Sequence, residues 1–183
     1  VDDLVWEEGN IFEPLPNEVV IEIKSAALNF PDYLIVQGLY QIKPTLPFVP
    51  GNEGSGVIKK IGDAVVRHKV GDRVYFMSGI GAFAEEISLD QNQVFKMENE
   101  MSFDVAASYQ LAYGTSFHAL VQRANIASGD EVLVLGGSGG VGLAAIDIAK
   151  AFGARVIAAV STNEKSKICT EYGADEVIIY GPE

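Results

Sequence analysis

The sequence predicts an α/β chain in two parts, an irregular β-barrel over residues 1–104 and a parallel β-α-β-α-β unit over residues 105–183. Three observations predict it. Short apolar runs with period-two alternation fill the first part, each closed by Gly, Pro or Asp. Strand-length and helix-length apolar segments alternate in the second part through short glycine-bearing connections, which is the pattern of a parallel sheet. The stretch VLVLGGSGGVG, residues 132–142, stands at the first strand-to-helix junction of that second part.

In the first part, Val19–Ala26 puts Val19, Ile21 and Ile23 on one side and Glu22 and Lys24 on the other, as in a half-buried strand. Gly54–Lys60, Arg73–Met77 and Phe83–Leu89 are further short apolar runs, and strands at this spacing suit a small barrel. Lys43–Gly51 carries Pro44, Pro47 and Pro50 and is excluded as a central strand or helix, because each proline removes a backbone donor. After Glu100, Ser102 is a candidate N-cap and Phe103–Arg123 is predicted helical, broken near Gly114. Glu131–Leu135, Val156–Val160 and Glu176–Tyr180 are predicted strands, with helices over Gly139–Phe152 and Glu164–Tyr172 between them.

Composition bounds the function. Of 183 residues, 48% are hydrophobic and 21% charged, with mean hydropathy +0.18, enough apolar content for a packed core. The single cysteine, Cys169, excludes a disulfide within the chain and a zinc site of several thiolates. The net charge of −12 is the wrong sign for a nucleic-acid or anionic-membrane binder. Seven acids and no base fall in the first 22 residues, as on a solvated face. The longest apolar stretch, Val132–Ile146, is interrupted by five glycines and a serine, so no transmembrane span is expected. No signal peptide is read either, and the expected compartment is the cytoplasm, with the mitochondrion as the alternative.

The glycine-rich stretch carries the strongest chemical signal. Gly137, Gly139 and Gly142 fit G-x-G-x-x-G directly after a strand and at the opening of a helix. The first glycine is expected to make the tight turn, the second to let backbone approach a pyrophosphate, and the third to let helix and strand pack closely. The helix N-terminus then offers unpaired N–H groups to the phosphates, so Gly137, Ser138, Gly139, Gly140, Val141 and Gly142 are the candidate cradle. No Gly-Lys-Ser/Thr follows, which excludes a Walker loop. An NAD-binding site wants a carboxylate at the end of the second strand to receive a ribose hydroxyl. Here Val160 is followed by Ser161, Thr162 and Asn163, with no acid before Glu164. A neutral pocket with Lys165 nearby suits a 2′-phosphate, so NADPH is the predicted cofactor, held by Ser161, Thr162 and Lys165.

Several ordered motifs carry a family resemblance. They are Asn29-Phe30-Pro31-Asp32, Leu46–Gly54, Val70–Val74, Gly81–Glu86, Tyr113–Leu120 and the glycine loop. Together they resemble the medium-chain dehydrogenase/reductase superfamily, in its zinc-free quinone oxidoreductase (zeta-crystallin-like) branch. The resemblance runs over essentially the whole chain. It implies a GroES-like barrel for residues 1–104 and the first half of a Rossmann domain for residues 105–183, with the chain a fragment of a longer protein. In zinc alcohol dehydrogenases of this superfamily a cysteine, a histidine and a second cysteine hold the catalytic metal. Asn29, Asn52 and Leu111 stand at those positions here, which implies no metal.

The resemblance further implies a substrate cleft lined by Asn29, Tyr40 and Thr115. Asn29 would orient a carbonyl oxygen or the nicotinamide ribose, Thr115 would bond the nicotinamide amide, and Tyr40 would stack on a flat acceptor. Tyr33 and Tyr113 are neighbours of interest. His118 reads as a packed or surface histidine, His68 as a solvated one, Cys169 as a packing residue, and Trp6 as core or interface. Glu53 reads as a structural anchor. The implied activity is zinc-independent hydride transfer from NADPH to a quinone or an α,β-unsaturated carbonyl, in a full-length homodimer. Two alternatives stand beside it, an enoyl-thioester reductase of the same superfamily and a non-catalytic NADPH-binding or scaffold protein.

Overall fold

The computed structural model describes residues 4–9 and 13–181. Its first strand, β1 (Glu18–Ala27), buries Val19, Val20 and Ile21 completely, and register shifts on either side of Ile21–Ile23 bend it. It pairs antiparallel with β2 (Glu53–Ile61) on one side and β4 (Glu86–Asp90) on the other. β3 (Arg73–Met77) and the short β5 (Val94–Lys96) complete a five-stranded sheet in the order β4-β1-β2-β3-β5. Val19, Ile21, Ile58, Val74, Phe76, Ile87, Leu89 and Val94 form its core. The expected strand from Phe83 begins only at Glu86, because the Ala82 and Phe83 N–H groups bond to Gly51 and Pro50 carbonyls instead of joining the ladder.

A helix that the sequence analysis does not include, α1 (Phe30–Val36), follows β1. Asn29 is its N-cap in extended backbone, Pro31 occupies the first turn where a missing N–H costs nothing, and Asp32 lies at the third position. The proline-bearing segment 43–51 forms neither helix nor strand.

Ser102 caps α2 (Phe103–Ala107), its hydroxyl accepting the Val105 N–H. The helical stretch breaks at Ser108 and Tyr109, not near Gly114, which lies inside α3 (Gln110–Phe117). The Ser108 hydroxyl donates to the carbonyls of Asp104 and Val105 and so ends α2. From His118 to Arg123 the turn widens, with the Ala124 N–H reaching the Ala119 carbonyl. The chain divides into two compact units, Val1–Gln110 and Leu111–Glu183. α2 packs on β1, β2 and β3 of the first unit.

The second unit holds β6 (Glu131–Leu135), α4 (Gly140–Ala151), β7 (Arg155–Val160), α5 (Asn163–Glu171) and β8 (Glu176–Ile179). The three strands are parallel in the order β6-β7-β8. Val134, Ile146, Val156, Ala158, Val160 and Cys169 form the core between sheet and helices. The alternate residues of β6 point the other way, and Leu133 and Leu135 are 56% and 73% exposed. Among the described residues no helix is long and apolar enough to cross a membrane.

Candidate cofactor loop and candidate active-site network

The glycine loop joins β6 to α4. Its tight turn belongs to Gly136, whose φ is +66°, and not to Gly137 as the motif suggested. Gly137 is glycine for steric reasons: a Cβ there would lie 3.0 Å from the Ala158 Cβ and 3.2 Å from the Cys169 Sγ. At Gly142 a Cβ would come within 2.5 Å of the Gly136 carbonyl oxygen and 2.7 Å of that of Gly137, so the third glycine lets α4 approach the loop that leaves β6, where the motif suggested the strand itself. Gly139 differs. It is the extended N-cap of α4 at φ −81°, and a Cβ there would meet nothing nearer than 3.6 Å. Gly140 is as open, with its nearest neighbour at 3.9 Å. The protein itself therefore leaves room for larger residues than glycine at Gly139 and Gly140. The first N–H groups of α4 have no intrahelical acceptor and point out of this end of the helix. Ser138 is half-buried beside them, and Val141 is exposed.

α3 supports this loop from the same unit. The buried Ser116 hydroxyl donates to the Val141 carbonyl at 2.8 Å, and the Tyr113 hydroxyl bonds Asp147 of α4 at 3.0 Å. Ser116 was not singled out by sequence; it is the neighbour of Thr115 in the quoted Tyr113–Leu120 motif. Thr115 itself is exposed on α3. Cys169 is fully buried beneath the loop, and desolvation pushes its thiol pKa up, consistent with a packing residue.

At the end of β7 the structure brings Ser161 and Lys165 together, Lys165 Nζ donating to Ser161 Oγ at 3.0 Å. Thr162 caps α5, its hydroxyl oxygen accepting the Lys165 N–H at 3.3 Å. Glu164, in the first turn, has its pKa lowered by its own backbone N–H and by the Thr162 hydroxyl, with burial opposing weakly. No carboxylate lies between Val160 and Glu164. A cationic and two hydroxyl side chains at the mouth of a parallel strand suit an anionic group such as a phosphate of a nicotinamide cofactor.

The first unit carries a separate polar network. The Asn29 Nδ2 donates to Glu53 Oε1 at 2.8 Å, and the Asn29 backbone N–H donates to Asp32 Oδ2 at 2.7 Å. The Asn52 Nδ2 donates to the other Asp32 oxygen. Asp32 and Glu53 are each 1% exposed, and Asn29 is half-buried at the N-terminus of α1. Both asparagines at the expected ligand positions therefore serve as hydrogen-bond donors to carboxylates. Leu111, the third, lies half-buried in α3. Among the described residues no group of three or more His, Cys, Asp or Glu side chains is placed to hold a metal.

Tyr40 is half-buried in the irregular segment after α1, and Tyr33 is exposed and stacked on Phe30. His68 is not solvated: it is buried, with Nε2 3.2 Å from the Gln91 carbonyl oxygen. Trp6 is not in the core, being 81% exposed. His118 is exposed and bonds Gln122.

The family model for the alcohol dehydrogenase GroES-like domain matches residues 15–99, and that for the zinc-binding dehydrogenases matches residues 140–182. Human quinone oxidoreductase is 37% identical over 172 residues, covering 92% of this chain and 52% of the relative. The crystal structure of Escherichia coli quinone oxidoreductase complexed with NADPH superposes with a TM-score of 0.90 at 34% identity, over 95% of this chain and 53% of that one. The CurK enoyl reductase superposes with a TM-score of 0.88 at 30% identity, over 97% and 56% of the two chains. The chain spans about half the length of the relatives it matches. The two family models matched in chain order and these relatives show that the chain belongs to the medium-chain dehydrogenase/reductase superfamily, as a quinone oxidoreductase-like member.

Proposed function

We propose that the full-length protein is a metal-independent, NADPH-dependent reductase that transfers a hydride to a quinone or to the β-carbon of an α,β-unsaturated carbonyl. In this reading residues 1–104 are the substrate domain and residues 105–183 begin the NADP(H)-binding domain. The observation that carries it is the Ser161–Lys165 pair at the end of β7, where a neutral strand end and a lysine replace the carboxylate of an NAD site. NADPH, when bound, supplies the hydride.

The chain's own residues bind and orient. The first N–H groups of α4, from Gly140, Val141 and Gly142, take the pyrophosphate, with Gly137, Ser138 and Gly139 shaping the approach. Ser161, Thr162 and Lys165 take the 2′-phosphate. Thr115 bonds the nicotinamide amide, Asn29 holds a ribose hydroxyl or the acceptor's carbonyl oxygen, and Tyr40 stacks on a flat acceptor. With no metal to polarise the acceptor, hydrogen-bond donors held in place beforehand carry that part of the work. The active form is a homodimer acting on a small molecule, without nucleic acid or membrane as partner, in the cytoplasm.

The likeness to CurK favours one second reading, reduction of an enoyl thioester. Steady-state rates of the full-length protein with NADPH and NADH, on a quinone, an enone and an enoyl thioester, test both readings. Preference for NADPH with turnover of the quinone or enone is expected. Turnover of the thioester alone selects the second reading, and NADPH binding without turnover of any acceptor rejects both.

A further inference from the structure

We infer that Glu53 is a positioning residue, which acts through Asn29 by fixing the orientation of its side-chain amide. This inference rests on the proposal that Asn29 contacts the cofactor or substrate.

The two ends of an asparagine amide are nearly the same size and differ in chemistry, one donating and the other accepting. Which end faces a ligand is set by the network behind it. Here that network is specific. Glu53 opens β2 in the middle of the five-stranded sheet, is 1% exposed, and accepts from Asn29 Nδ2 at 2.8 Å. A carboxylate oxygen accepts and does not donate, so it selects the Nδ2 end and turns Oδ1 away. The backbone of Asn29 is fixed independently. Its N–H bonds Asp32 Oδ2, its carbonyl accepts the Asp32 N–H at 3.0 Å, and Asp32 is held by Asn52 on the strand side. With backbone and amide both clamped, Asn29 presents Oδ1 and its remaining N–H in one order. A fixed amide is of use where a ligand must meet an acceptor and a donor in a set arrangement.

A double-mutant cycle on the full-length protein tests this, with Asn29→Ala, Glu53→Gln and their combination. Glutamine keeps the shape of Glu53 but can donate to Oδ1, so it lets the Asn29 amide turn over. We expect Asn29→Ala to lower kcat/KM about tenfold or more, and Glu53→Gln to lower it by a similar factor. In the Asn29→Ala background Glu53→Gln should then change kcat/KM less than about twofold. If the two losses multiply, or if Glu53→Gln alone leaves kcat/KM unchanged while Asn29→Ala lowers it, the positioning role is overturned and the reading of Asn29 stands. If Asn29→Ala is itself harmless, the reading of Asn29 fails and the inference fails with it.

The reciprocal pair Asn29→Asp with Glu53→Gln covers the case where Glu53→Gln does not fold. That pair restores the hydrogen bond with donor and acceptor exchanged. It should recover the wild-type melting temperature without recovering kcat/KM, and recovery of both would reduce Glu53 to a structural anchor.

Discussion

Lys165 and Ser161 stand one helical turn apart across the start of α5, and the lysine ammonium rests on the serine hydroxyl at 3.0 Å. The pair places a positive charge at the end of β7, where a ribose-binding carboxylate would otherwise stand. The full-length protein should therefore bind NADPH more tightly than NADH, and Lys165→Glu should erase or reverse that preference. A charge-assisted bond to phosphate contributes about 1.5–3 kcal/mol, or roughly ten- to a hundredfold in affinity. Screening at an open site moves the effect toward the lower end. Glutamate exchanges attraction for repulsion, so its effect should exceed that of Lys165→Ala. The measurement is the ratio of dissociation constants for the two cofactors at low and high salt. Equal affinities in the unmutated protein, or an unmoved ratio in the glutamate variant, would defeat the argument.

The local grammar of the chain carried much of this fold. β1, β3 and the three parallel strands announce themselves by alternation and by glycine-bearing ends, and Ser102 caps the helix it was expected to cap. β5 has three residues, too few for any period to show. α1 was missed although its start carries an asparagine cap, an early proline and an acid at the third position, which together are a legible helix signal. What could not be read were contacts between distant residues. His68 is buried because Gln91 meets it, and Asn29 is clamped because Glu53 returns 24 positions later. The glycine motif marked the loop correctly but assigned its turn to Gly137, because it counts residues and does not see that Gly136 bears the positive φ.

The protein should contain no stoichiometric zinc. Neutral amides cannot replace thiolate and imidazole as ligands, and here the Asn29 and Asn52 Nδ2 groups already point their hydrogens at Glu53 and Asp32. Elemental analysis of the purified full-length protein should find zinc far below one per chain, and a chelator should leave turnover unchanged. A stoichiometric zinc that the chelator removes together with activity would contradict this.

Acid should weaken the second unit through Asp175. Its carboxyl is held below the ordinary value of 3.8, first by the Lys150 ammonium at 2.8 Å and then by the Val156 N–H, which donates to it at 2.7 Å. A depressed folded-state pKa gives stability that is complete above the unfolded value and is lost as pH falls through the folded one. Melting temperatures recorded across that acidic window should fall less steeply for Asp175→Asn, which keeps an acceptor for Val156 but has no proton to gain. High salt should narrow the difference, because the pair is partly exposed. Parallel melting curves for the two proteins would remove Asp175 from the account.

Gly139 and Gly142 separate what the loop needs for folding from what it needs for a ligand. At Gly142 a methyl group would press on two backbone carbonyl oxygens, at 2.5 and 2.7 Å, so main chain and not a flexible side chain would have to shift. Gly142→Ala should therefore destabilise the unit by about 1–3 kcal/mol and lower the melting temperature whether or not cofactor is present. At Gly139 the backbone is extended at φ −81°, ordinary for any residue, and the nearest atom to an added Cβ is 3.6 Å away. Gly139→Val should fold, losing no more than about 1 kcal/mol for a poorer helix cap. Its branched side chain would nonetheless project beside the first N–H groups of α4, into the space assigned to the pyrophosphate. The expected outcome is a nearly unchanged melting temperature without cofactor and a loss of at least tenfold in NADPH affinity, near 1.4 kcal/mol. Thermal melts and NADPH titrations of both full-length variants make the comparison. If Gly139→Val bound NADPH as the unmutated protein does, the openness at Gly139 would have no ligand to explain it and the loop assignment would fall.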